Sequence, residues 1–267
     1  MIIKYEHIES SVRGYQGIAL DMEECRAHLQ GAVKDNLLDR EERQHTIDVL
    51  RTLQQETGFE ASGELIADIQ ALESEQVELQ QFRIGEAYAE VLLKEEFACR
   101  FHWNENRDTR NPKGNKAGAD LVGFIEKEGK VLFLFGEVKT SSETARRPPQ
   151  VMTSTGGIEN QLRDLYNDRS KRQILITYLQ SKMRCYPEEH PFQTDFNASI
   201  KAYYADSCQF QLIGVLVRDV NHDHRDISVS YSRLSQQILE PNGIRLLALY
   251  LPIQKEEWHK IINEPTA

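Results

Sequence analysis

One stretch constrains this chain more than any other: residues 131–138, Val-Leu-Phe-Leu-Phe-Gly-Glu-Val, followed at once by Lys139. A run this apolar reads as a strand buried on both faces, which requires a sheet with a packed layer on each side. Its last positions break the rule. Glu137 and Lys139 stand where a buried strand should stay hydrophobic, and side chains two apart along a strand share a face. Residues 119–125 read as a second strand, with a turn at Glu128-Gly129 between the two. A hairpin about that turn brings Asp120 beside Glu137 at its open end. Two carboxylates and an ammonium then converge at one end of a sheet.

The rest of the chain supplies the layers. Residues 21–57, 64–81 and 82–96 carry apolar side chains at helical spacing, while 1–20 show no decisive pattern. After a strand-like 98–103, a polar loop occupies 104–116. Another loop follows at 141–157, then helical stretches at 158–169, 174–183 and 193–205. Residues 210–217 and 244–253 read as further strands. The order predicts an α/β fold, a mixed sheet flanked by helices. Residues 1–81 form a mainly helical, acidic front region suited to contacting a partner, and 82–267 form the core. Charge is uneven too: residues 1–96 hold 9 Lys and Arg against 21 Asp and Glu, in a chain whose totals are 32 and 42. No apolar run approaches the roughly 20 residues that span a bilayer, and the start lacks a secretion signal. Four scattered cysteines without a CxxC pair agree with a cytoplasmic protein. No nucleotide-binding glycine loop, GxSxG elbow or HExxH pair is present.

Two carboxylates in close approach repel, and burying them without a counter-charge costs several kcal/mol, of order 3–5. A hard divalent cation relieves that conflict. Mg²⁺ takes one or two carboxylates plus water and phosphate, and the Val138 carbonyl lies between the two acidic and basic side chains as a further donor. Lys139 is suited to orienting water or balancing charge on a phosphate. The plainer alternative is an exposed strand end bearing an ion pair worth about 0–1 kcal/mol. Arg107, Arg110, Lys113 and Lys116 in the basic loop are candidates to grip a phosphate backbone. His222 and His224 read as a solvated turn ahead of a metal site.

Asp120 followed by Glu137-Val138-Lys139 resembles the signature of the PD-(D/E)XK nuclease superfamily, with Ala119 where the signature has proline. The resemblance implies a restriction-endonuclease-like core that hydrolyses DNA phosphodiesters with Mg²⁺, Mn²⁺ being able to substitute. It makes Asp120 and Glu137 metal ligands, joined by the Val138 carbonyl, and Lys139 the catalytic lysine. A helix before the first core strand often adds an acidic ligand in that family; Glu86 fits the place, with Glu90 in reserve. A subgroup similar to the RecB nuclease domain carries Gln with Tyr four residues on. Here Gln161 is followed by Leu165 at that spacing and Tyr166 one beyond. More narrowly, the chain resembles the nuclease subunit of bacterial antiphage nuclease–helicase systems such as Hachiman, which implies a helicase or ATPase partner. The alternative within the same fold is a catalytically inactive nucleic-acid-binding or regulatory subunit.

Overall fold

The structure, a computed structural model, describes residues 1–74, 81–108 and 118–264. In chain order it contains β1 (Ile2–Ser10), β2 (Arg13–Ala19), α1 (Met22–Gln30), α2 (Ala32–Leu38), α3 (Arg40–Gln54), α4 (Gly63–Glu73) and α5 (Gln81–Glu96). There follow β3 (Cys99–Arg100), β4 (Leu121–Lys127), β5 (Lys130–Thr140), α6 (Gln150–Thr153), α7 (Ile158–Asn167), α8 (Arg169–Met183) and α9 (Pro191–Tyr204). Last come β6 (Gln211–Arg218), α10 (Ser228–Ser235), β7 (Gly243–Tyr250) and α11 (Lys255–Asn263).

The strands form one mixed sheet in the order β1-β2-β7-β6-β5-β4-β3. Its centre, β5, β6, β7 and β2, is parallel, while β4 on β5, β3 on β4 and β1 on β2 are antiparallel. This is the α/β fold with a helix-flanked mixed sheet that the patterning predicts. The apolar β5 is sandwiched as expected. Leu132, Leu134 and Val138 pack with Ile84, Tyr88 and Leu92 of α5, Leu29 of α1 and Trp258 of α11. Phe133 and Phe135 face the other way, into Leu162 of α7, Leu175 of α8 and Phe196 of α9. Removing a ring such as Phe133, fully buried, would cost about 3–5 kcal/mol.

The β4–β5 hairpin turns as the sequence indicates. Glu128 and Gly129 both take positive φ, 51° and 73°, the pair of left-handed residues that matches strand twist in a two-residue turn. Leu121 consequently lies opposite Gly136, and the register runs without interruption to Lys127 opposite Lys130.

The front of the chain is mainly helical from Met22 to Glu73, but its undecided first 20 residues are strands. Residues 1–20 form the β1–β2 hairpin, and β2 pairs with β7 from Arg13 opposite Ile244 to Ala19 opposite Tyr250. The sheet therefore runs across the division drawn at residue 81. Helix α1 starts where Asp21 accepts from the Glu24 amide and Glu24 reaches back to the Asp21 amide. Helices α1 and α2 then pack against α11 and α5, while α3 and α4 pack on each other with one buried side chain apiece, Ile47 and Ile69. The strand predicted over 98–103 pairs only at Cys99 and Arg100. Helices α6, α10 and α11 are additional to the sequence reading. Among the described residues, no helix is long and apolar enough to cross a membrane.

Candidate active site

The ladder that sets Leu121 opposite Gly136 places Asp120, one residue earlier, beside Glu137. Asp120 Oδ2 accepts from the Val138 amide at 2.9 Å, so the carboxylate is fixed to the backbone of the strand it faces. Lys139 Nζ pairs with Glu137 Oε1 and lies 3.6 Å from Asp120 Oδ2. Glu137 is 5% exposed, with Asp120 and Lys139 half-buried beside it.

Burial, and then the neighbouring Asp120 charge, push the Glu137 carboxyl up to about 7 against the pull of Lys139. Burial works against the Lys139 charge, but Asp120, Glu137 and Glu86 more than offset it and hold its pKa above the usual lysine range. The result is a carboxyl that titrates near neutrality next to an ammonium that keeps its proton.

Helix α5 reaches this strand end through Gly85. A Cβ at Gly85 would come within 2.2 Å of Thr140 Oγ1, so a side chain here would push the helix off the strand or turn Thr140 aside. The next residue, Glu86, receives Arg83 Nη1 at 3.1 Å and shares a cleft with Asp120. Asn36 of α2 and Asn104 also line it. Glu90 lines the same cleft, where it accepts from Asn36 Nδ2 at 2.8 Å and from Lys94 Nζ at 2.6 Å. Sequence reasoning singled out Glu86 but not Arg83, Gly85 or Asn36; a glycine inside a helical pattern, just before that acid, was the available signal.

Among the described residues, no group of three or more His, Cys, Asp and Glu side chains is gathered closely enough to hold a metal ion. Asp120 and Glu137 nevertheless fit a hard divalent cation as a pair, because two carboxylates with solvent completing the shell are what Mg²⁺ takes. Burial and then the neighbouring Asp120 charge raise the Glu137 carboxyl, and both disfavour an ionised form that such a cation would stabilise. Glu86, held by Arg83, and Glu90, held by Asn36 and Lys94, complete no three-carboxylate group.

The chain leaving the site is anchored from behind. The fully buried Arg218 donates to the Ser141 carbonyl at 3.1 Å and the Glu143 carbonyl at 2.6 Å, just beyond Thr140. Its charge faces Asp226 at 3.3 Å, which also meets Arg147 at 3.0 Å. These three charged residues, more than 70 positions apart in part, gave no local sequence signal.

The phosphate-gripping candidates are spread out. Arg107 is committed to Asp39 by two contacts of 2.5 and 2.9 Å and to the Tyr186 hydroxyl at 3.1 Å, tying the front helices to the core. Arg110, Lys113 and Lys116 lie outside the described residues. Gln161 is half-buried on α7, with no hydrogen bond to Asp120, Glu137 or Lys139 among the described residues. No protein-family model matches this chain, and no curated protein matches it.

Proposed function

We propose that the chain is a metal-dependent nuclease acting on DNA phosphodiester bonds, with its site at the end of the β4–β5 hairpin. The observation that carries this reading is the meeting of Asp120, Glu137 and Lys139, with Glu137 held near neutral pKa by burial beside Asp120. In this reading Asp120 and Glu137 hold Mg²⁺, with the Val138 carbonyl as a further donor. The bound cation supplies positive charge at the phosphate and makes water more acidic. Lys139, protonated throughout the neutral range, donates to a phosphate oxygen where negative charge builds up. Arg83 keeps Glu86 facing the cleft it shares with Asp120. Arg110, Lys113 and Lys116, four to ten residues before Asp120 in sequence, are the candidates for contacting a DNA backbone. The narrower resemblance adds a helicase or ATPase partner and a role in antiphage defence, which co-purification from the native host tests.

A second reading has its own observation. Lys139 already contacts both carboxylates, and among the described residues no three-ligand group is gathered, which favours a non-catalytic nucleic-acid-binding subunit. Supercoiled plasmid incubated with Mg²⁺ or Mn²⁺ separates the two. The nuclease reading expects cleavage that is lost in Glu137→Ala and in Lys139→Ala. Plasmid binding without cleavage under every metal condition supports the second reading, and cleavage retained by both variants places the chemistry elsewhere.

A further inference from the structure

Away from this site, a groove of about 440 Å³ opens between the β1–β2 hairpin and the C-terminal end of α5. That volume lies within the range of about 300–1,000 Å³ usual for small-ligand sites. Ile3 lies opposite Ile18 and Ile8 opposite Gly14 in the β1–β2 ladder, so both occupy the face that Ile18 shares with the α5 layer. Elsewhere helices cover that face. Here Ile3 and Ile8 are 54% and 67% exposed, and Phe97 closes the far wall.

Two cations enter the same groove, Lys127 from the end of β4 and Arg245 from β7. Arg245 donates to the Ser11 carbonyl at 2.9 Å and lies over the Phe97 ring at 5.5 Å. Among the described residues neither cation forms an ion pair. The acids on the groove's rim, Glu6 and Glu96, are exposed and pair with neither. Burial lowers the pKa of both cations, and the Arg245 charge lowers that of Lys127 further. Half-buried like charges with no counter-charge call for an anion from outside the chain.

We infer that this groove binds a small amphipathic organic anion, its charged head between Lys127 and Arg245 and its apolar body along Ile3, Ile8 and Phe97. A second copy adding a strand to β1 fits less well, because register shifts between Ile3 and Tyr5 and between Ile8 and Ser10 interrupt that edge. The inference is independent of the nuclease reading.

Octanoate is the probe, with acetate carrying the charge alone and octanol the chain alone. Titration calorimetry and thermal unfolding of the full chain should show binding and a raised midpoint with octanoate and neither effect with the two controls. Replacing both cations, Lys127→Gln with Arg245→Gln, should weaken octanoate about tenfold or more. Equal binding by wild type and the double variant would overturn the inference, as would no binding at millimolar octanoate. Dissociation of a dimer by Ile3→Ser, with no octanoate binding, would assign the face to a second copy instead. A ligand-free measurement stands beside these: Lys127→Met should leave the unfolding midpoint unchanged or raise it. A fall would show that Lys127 is already compensated, which also overturns the inference.

Discussion

Replacing Glu137 by Gln keeps the side chain's shape, removes its charge, and should change how folding stability depends on pH. In the unfolded chain Glu137 ionises near its ordinary 4.5; in the fold it keeps its proton up to about 7. Between those values the native state binds more protons than the unfolded one, so stability falls as pH rises. At about 1.4 kcal/mol per pH unit, the rise from 4.5 to about 7 amounts to about 3 kcal/mol. Glu137→Gln lacks this fall. Relative to wild type it should gain about 3 kcal/mol between about pH 4 and pH 8. Urea denaturation of both proteins across that range, followed by circular dichroism, measures the difference directly. Parallel profiles would refute the reasoning, since Glu137 would then ionise in the fold as it does in water. On the nuclease reading, wild-type cleavage should also climb as pH approaches 7, and Glu137→Gln should be inactive at every pH.

Other positions give sharper local tests. Gly85→Ala should cost about 1–3 kcal/mol through the clash with Thr140 Oγ1, and Thr140→Ala in the same chain should restore most of the loss in a double-mutant cycle. Arg218→Ala removes a buried partner of Asp226 and the anchor of the Ser141 and Glu143 carbonyls; denaturation should show a loss of about 3–5 kcal/mol. Asp39→Asn loosens Arg107 and should cost about 1–3 kcal/mol of stability. If Arg107 contributes to DNA binding, the same substitution should raise affinity for a labelled duplex at low salt, measured by fluorescence anisotropy.

The central part of the site was legible because its cause is local. The apolar run of residues 131–138, the Glu128-Gly129 turn and the period of two together fix where Asp120 meets Glu137, and each lies within 20 residues of the others. The β1–β2 hairpin was not legible for a physical reason. Strand β1 is an edge, exposed along most of both faces, so its sequence carries no inside–outside alternation, and the partner that holds β2 lies more than 200 residues away. Arg107 looked like a phosphate ligand because sequence shows its charge but not Asp39, which approaches it only once the front helices dock. The Arg218–Asp226–Arg147 cluster was hidden likewise: each residue alone reads as a surface charge, and only the fold buries them together.

The parallel pairing of β2 with β7 has a consequence during synthesis on the ribosome. Residues 13–19 are among the first made, yet their ladder partners, 244–250, each emerge 231 positions later. At about 5–20 residues per second, β2 waits about 10–45 s for its neighbour. During that interval the hairpin is an unprotected edge, bearing Ile2, Ile3 and Ile8 in water. The nascent protein can fold its middle early, but its sheet closes last, when the newest strand slides in beside the oldest hairpin.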